Sequence, residues 1–114
     1  MVRQRLRVIR AHKASFAYTM LAEPNARINV GREDPEMPGW FWCRDGNGVE
    51  MWVPSTHFER DGSNGVFNQS YNSREIDADI GDIIQFLGES LGWVECLDSD
   101  WEYGWIPRGN LAPV

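Results

Sequence analysis

No apolar run in the sequence is long enough to cross a bilayer, and no apolar segment follows the basic start in the manner of a signal peptide. The expected location is the cytoplasm, with no membrane among the partners. Cysteine and histidine are scarce, two of each, and neither a CxxC pair nor a Cys/His metal spacing occurs. There is no glycine-rich phosphate loop, no nucleophile elbow and no set of residues ordered as a catalytic triad. Enzymatic activity, a cofactor and a bound metal are therefore not expected. A net charge of −6 argues against nucleic acid as the partner. Helical periodicity is missing too, and Pro24, Pro35, Pro38, Pro54, Pro107 and Pro113 interrupt the places where long helices would run.

What the chain does have is tryptophan. Six in 114 residues either fill small cores or line a binding surface. Charge is unevenly placed. Residues 1–61 carry nine Arg/Lys and eight Asp/Glu, a balance of +1, whereas residues 62–114 carry two and nine, a balance of −7. Such a split suits halves that attract each other or a second half that recruits a basic partner, and it also suits plain solvated surface.

The sequence repeats itself. With a shift of 53, Gly39 falls on Gly92, Trp40 on Trp93, Cys43 on Cys96, Trp52 on Trp105, Val53 on Ile106, Pro54 on Pro107 and Phe58 on Leu111. Upstream the shift grows to 56, pairing Met20 with Ile76, Ala22 with Ala78 and Ile28 with Ile84; further upstream it is 59, pairing His12 with Tyr71. Lengths that change in loops while strand spacings hold are expected of duplicated β-modules. "RINV", "DIIQFL", "WFWC", "WVECL" and "GWIP" are short runs of β-branched and aromatic residues punctuated by Asp-Gly, Asn-Gly and Pro. "DGNG" (45–48) is the strongest hairpin turn, with "DSD" (98–100) at the matching place. The expected fold is all-β, in two modules covering 1–61 and 62–114, joined by the short linker "ERDGSN" (59–64).

Strand alternation assigns faces. Trp40 and Trp42 point one way, Phe41 and Cys43 the other; Trp93 goes with Glu95, and Val94 with Cys96. Glu95 belongs in water, so Trp93 takes the wetter face. The two cysteines become apolar core residues at equivalent positions of separate cores. A disulfide between them is the competing reading, disfavoured because inward-facing thiols of separate cores lie beyond bridging distance. His12 and His57 suggest a metal or proton-linked pair in the first module, but a third donor is missing.

Copy two, "GDIIQFLGESLGWVECLDSDWEYGWIPRGNL", and copy one, "PGWFWCRDGNGVEMWVPSTHF", resemble SH3 domains, in particular the tandem SH3-like proteins of bacteria. The resemblance runs from about Arg7 to Leu111 and implies two five-stranded, strongly bent β-barrels in tandem. It also implies a groove on each that takes left-handed proline-rich helices, with acidic residues pairing to an Arg or Lys of the ligand. Copy two then supplies Trp93, Trp105, Pro107 and Tyr71, with Glu75 and Asp77 as acids; copy one supplies Trp40, Trp52, Pro54, His12 and His57. The expected function is non-enzymatic binding of a peptide or partner surface, basic or proline-rich, best retained in the second module. The alternative is a structural role, in which the Trp faces form an inter-module or homodimer interface.

Overall fold

A computed structural model describes residues 3–114. It is all-β, and alternation explains most of its elements. In β1 (Arg5–Val8) Leu6 and Val8 are buried while Arg5 and Arg7 are exposed. In β3 (Arg27–Glu33) Ile28 and Val30 are buried between exposed neighbours. The remaining strands are β2 (Leu21–Ala22), β4 (Trp40–Asp45), β5 (Glu50–Pro54), β6 (Phe58–Asp61), β7 (Asn64–Phe67), β8 (Tyr71–Asn72), β9 (Ile83–Ser90), β10 (Trp93–Leu97), β11 (Tyr103–Pro107) and β12 (Leu111–Pro113). One turn of 3₁₀ helix follows each repeated proline, at Ser55–His57 and at Arg108–Asn110.

The chain divides into two compact units, but not at residue 61. Unit 1 holds the N-terminal segment through Ala17 together with Arg74–Val114; unit 2 is Tyr18–Ser73. Unit 2 is thus inserted into unit 1. The sheet of unit 1 runs β11-β10-β9-β1-β12, and that of unit 2 runs β5-β4-β3-β7-β6. Position by position these are one order. The fourth place is filled by β1, the first strand of the chain, in unit 1, and by β7, which follows β6, in unit 2. Unit 2 is therefore a circular permutation of unit 1. Its β6 and β7 are joined by a hairpin, with Asp61 opposite Asn64 and Gly62 at φ +61°, where unit 1 has the ends of the chain. The segment 59–64, expected as a linker between modules, is this hairpin.

Exchange of the fourth strand also redistributes charge. Unit 1 contains seven Arg/Lys and nine Asp/Glu, a balance of −2; unit 2 contains four and eight, a balance of −4. The expected contrast between a neutral first half and an acidic second half disappears, because Arg3, Arg5, Arg7 and Arg10 fold into the same unit as the acids of 75–102.

Each unit has its own interior. Leu6, Val8, Ile76, Ala78, Ile84, Val94, Cys96, Ile106 and Leu111 form the core of unit 1. Unit 2 buries Met20, Ile28, Val30, Cys43, Met51, Val53, Phe58 and Phe67. The two thiols are free and buried, one in each unit. Volume is traded between equivalent sites. Leu6 of β1 faces Ile84, whereas its counterpart Gly65 of β7 faces Ile28. A Cβ at Gly65 would sit 2.9 Å from Ile28 Cγ1 and 3.0 Å from Val30 Cγ2. Conversely, Met51 lies opposite Cys43 while Gly104 lies opposite Cys96, and a Cβ at Gly104 would meet Ile76 Cγ2 at 2.5 Å.

Neither five-stranded sheet closes into a barrel, in contrast to the expectation. The outer strands of each sheet, β11 and β12 or β5 and β6, have a single strand neighbour. The outer edge of β11 is taken up by a loop instead. The Trp105 N–H donates to Arg74 O (2.8 Å), and the Ile76 N–H donates to Trp105 O (3.0 Å). In unit 2 the short ladder β2-β8 pairs Leu21 with Asn72 and Ala22 with Tyr71.

Candidate functional site

The register of β10 against β11 sets Trp93 opposite Pro107 and Glu95 opposite Trp105, so these four share a face. Trp93 and Pro107 stay half-buried, whereas Trp105 is only 2% exposed, under the Arg74–Ile76 segment that bonds its backbone. Glu95, expected in water, is half-buried and accepts a hydrogen bond from the Tyr103 hydroxyl. Burial first, then that bond to a carboxylate, pushes the Tyr103 phenol well above its usual range.

The histidine and tyrosine of the expected grooves are exchanged between the units. His12 bridges to Ala78, and Tyr71 pairs with Ala22, so the two are equivalent as the shift of 59 indicated. His12 nevertheless belongs with Trp93, and Tyr71 with His57, because each travels with the fourth strand that precedes it. The His12 ring stands edge-on to Trp93, with centroids 5.7 Å apart and an interplanar angle of 80°. Its Nε2 lies 2.9 Å from Glu75 Oε1. A carboxylate only accepts, so Nε2 carries the proton of this bond. Ser15 Oγ donates to the same oxygen at 3.1 Å. Asp77, exposed, accepts from the Ala14 N–H at 2.7 Å. Glu89 and Arg108 form an ion pair at 3.4 Å.

Below His12, Asn110 holds the chain leaving β1. Its Nδ2 donates to Arg10 O (3.0 Å) and Ala11 O (3.2 Å), and its backbone carbonyl accepts from the Ile9 N–H (2.8 Å). The side chain is buried, and its Nδ2 is satisfied by these two carbonyls. The unit 1 site is thus a half-buried patch of Trp93, Pro107 and His12, with Glu75 bonded to His12, Asp77 to Ala14 and Glu89 paired with Arg108.

In unit 2 the matching residues are closed. Trp40 is 6% exposed, Tyr71 5% and His57 2%, and Pro54 is fully buried. Tyr71 stacks on Phe67 at 5.9 Å, meets His57 at 5.4 Å and donates to Trp52 O at 2.7 Å. His57 O accepts from the Asn68 N–H (2.9 Å), the equivalent of the bond between Asn110 and Ile9. Trp52 is half-buried and pairs edge-on with Trp42 at 5.1 Å, with the Arg32 guanidinium 5.4 Å from the Trp52 ring and 5.6 Å from the Trp42 ring. His12 and His57, expected together, fall in different constellations. Among the described residues no cluster of three or more His, Cys, Asp or Glu is arranged to hold a metal.

Sequence reasoning missed Ser15 and Arg108 as parts of the unit 1 site, and the partner of Ser15 is 60 residues away along the chain, so no local pattern announces it. Asn110, which the resemblance sets at the third aromatic position of the second groove, bonds the backbone at Arg10 and Ala11 instead. Among the described residues no helix is long and apolar enough to cross a membrane. Comparison with protein-family models, with curated proteins and with solved structures returned no match.

Proposed function

We propose that the chain is a non-enzymatic interaction protein made of two SH3-like modules, one inserted in the other, and that unit 1 carries its peptide-binding surface. The observation behind this reading is the contrast in exposure. Trp93 and Pro107 are half-buried at the surface of unit 1, with His12 against Trp93 and Glu75 bonded to His12, while Trp40 and Pro54 are buried in unit 2. An indole with an adjacent proline presents the flat apolar wall on which a left-handed proline-rich helix docks with little loss of entropy. Asp77 and Glu89, at the edges, suit an Arg or Lys in the same segment. The shared strand order supports the SH3-like assignment, since it puts the equivalents of the family's motif residues at matching registers in both units.

The test is a titration with a synthetic peptide bearing several prolines and one arginine, followed by backbone NMR. Movement should concentrate at His12, Glu75 and Trp93 and spare Trp40 and His57. Trp93→Ala should abolish it. Peptide at millimolar concentration that leaves the amides around Trp93 in place sinks the reading. For unit 2 the burial of Trp40, Pro54, His57 and Tyr71 favours the structural role for that constellation.

A further inference from the structure

The hairpins joining β4 to β5 and β10 to β11 share one plan. In unit 2 the Asp45 N–H donates to Val49 O (2.9 Å) and the Gly48 N–H to Asp45 O (3.1 Å). Asp45 Oδ1 accepts from the N–H groups of Asn47 (2.8 Å) and Val49 (3.0 Å). In unit 1 the Asp98 N–H donates to Glu102 O (2.9 Å) and the Trp101 N–H to Asp98 O (3.0 Å). Asp98 Oδ1 accepts from Asp100 (2.8 Å) and Glu102 (3.0 Å). Bond for bond, Trp101 stands where unit 2 has Gly48.

The plan requires left-handed backbone at that position, φ +82° for Gly48 and φ +63° for Trp101. Glycine adopts it freely, and a bulky L-residue does so against steric resistance. The Trp101 indole is also 68% exposed. Two unfavourable features thus fall on one residue, and the turn gains nothing from it, since glycine builds the same turn in the other unit. Strain of this kind, at an exposed aromatic, points to binding. Tryptophan is the residue type most enriched at the energetic centres of protein interfaces. The surroundings are acidic, with Asp98, Asp100 and Glu102 in the turn and Arg74 alone against them, 3.2 Å from Glu102.

We propose that Trp101 anchors a second copy of this chain by seating on the outer face of β9-β1-β12. Arg5 and Arg7 project from that face, opposite in direction to the buried Leu6 and Val8. Ile83 and Ala112, both half-buried, lie across from Arg7 on the neighbouring strands, and Gln85 lies across from Arg5. The face is therefore a small apolar floor beside two guanidinium groups, and the tip brings one indole with two exposed carboxylates, Asp100 and Glu102. The charges are complementary, and a guanidinium also stacks on an indole. Trp101 lies beyond the far end of the β10–β11 ladder from Trp93 and Pro107, at least about 13 Å along the strands. The contact does not use the peptide-binding patch. Joining a tip to a face is heterologous, so two copies close it with a reciprocal pair of contacts or several close it as a ring.

Sedimentation velocity on the full chain, from micromolar to millimolar concentration and at low and high salt, tests this. The wild type should associate reversibly and less at high salt. Trp101→Gly should weaken association by about tenfold or more, with a melting temperature no lower than that of the wild type. Arg7→Glu should weaken it as well, and the combined Arg7→Glu, Asp100→Arg variant should associate more tightly than Arg7→Glu alone. A wild type that stays monomeric throughout, its indole then serving another protein or none, overturns the proposal. So does a Trp101→Gly variant that associates like the wild type.

Discussion

Unit 1 and unit 2 arrange five strands in the same order, yet the chain enters the two sheets at different points, and the contrast between their two sites follows from that entry. Unit 1 takes its fourth strand from the start of the chain, with Leu6 and Val8 filling the interior. Unit 2 takes it from β7, with Gly65 and Phe67 at the same places. The loop that follows the fourth strand is carried along with it. His12 therefore meets a half-buried Trp93, whereas Tyr71 meets a buried His57 in unit 2, where Trp40 is buried as well. Equivalent residues in an equivalent frame thus make an accessible patch in one unit and core in the other.

The strongest way to break the comparison is to remove β1. A chain lacking residues 1–8 loses the strand between β9 and β12, with two fully buried side chains, and its unit 1 sheet should lose amide protection as a whole. Hydrogen exchange measured strand by strand decides the matter, because a side-by-side arrangement of halves would move the loss to β3 and β6. Next in size is the contrast between the two repeated tryptophans. Trp40→Ala should cost about 3–5 kcal/mol in denaturant unfolding, as for a large buried aromatic. Trp93→Ala, which leaves a surface position, should cost about 1–2 kcal/mol. Equal losses would erase the distinction drawn between the two sites.

Smaller again is Gly65→Leu, which makes β7 resemble β1. The added side chain would overlap Ile28 and Val30, and overpacking of this kind destabilises by about 1–3 kcal/mol. An unchanged melting temperature would mean that Gly65 does not decide which fourth strand unit 2 accepts. The mildest contrast is in alkali. Burial raises the Cys43 thiol from 9.0 to about 11 and the Cys96 thiol from 9.0 to about 12. In both the folded value lies above the unfolded one, so above about pH 9 the unfolded chain releases these protons first. Their contribution to stability is complete below pH 9 and is lost as pH rises through 11 and then 12. Alkylation near pH 11 should reach Cys43 before Cys96; the reverse order would contradict the assignment.

Much of this was legible beforehand. Alternation in "WFWC" and "WVEC" put Cys43 and Cys96 inside, and the shifts of 53, 56 and 59 paired residues that the registers pair. The shift of 53 also set Trp101 against Gly48, although nothing local marks that position as left-handed in unit 1. The division at residue 61 failed because "RLRV" and "NGVF" are both competent fourth strands. Each alternates correctly, and each precedes a loop and a set of four further strands, so reading in chain order assigns each to what comes next. Sequence distance carries no information about which sheet a strand completes.

The amino-acid order by itself determined the all-β class, the strands of "RINV", "WFWC", "DIIQFL", "WVECL" and "GWIP", the repeat and the placement of one thiol in each interior, because these depend on a period of two and on side chains within a few residues. Which strand completes which sheet, and hence which tryptophan is left at a surface, was decided only by tertiary packing. Leu6 finds room beside Ile84, and there is none for a Cβ between Ile28 and Val30. Volume of that kind exists only after distant segments have come together.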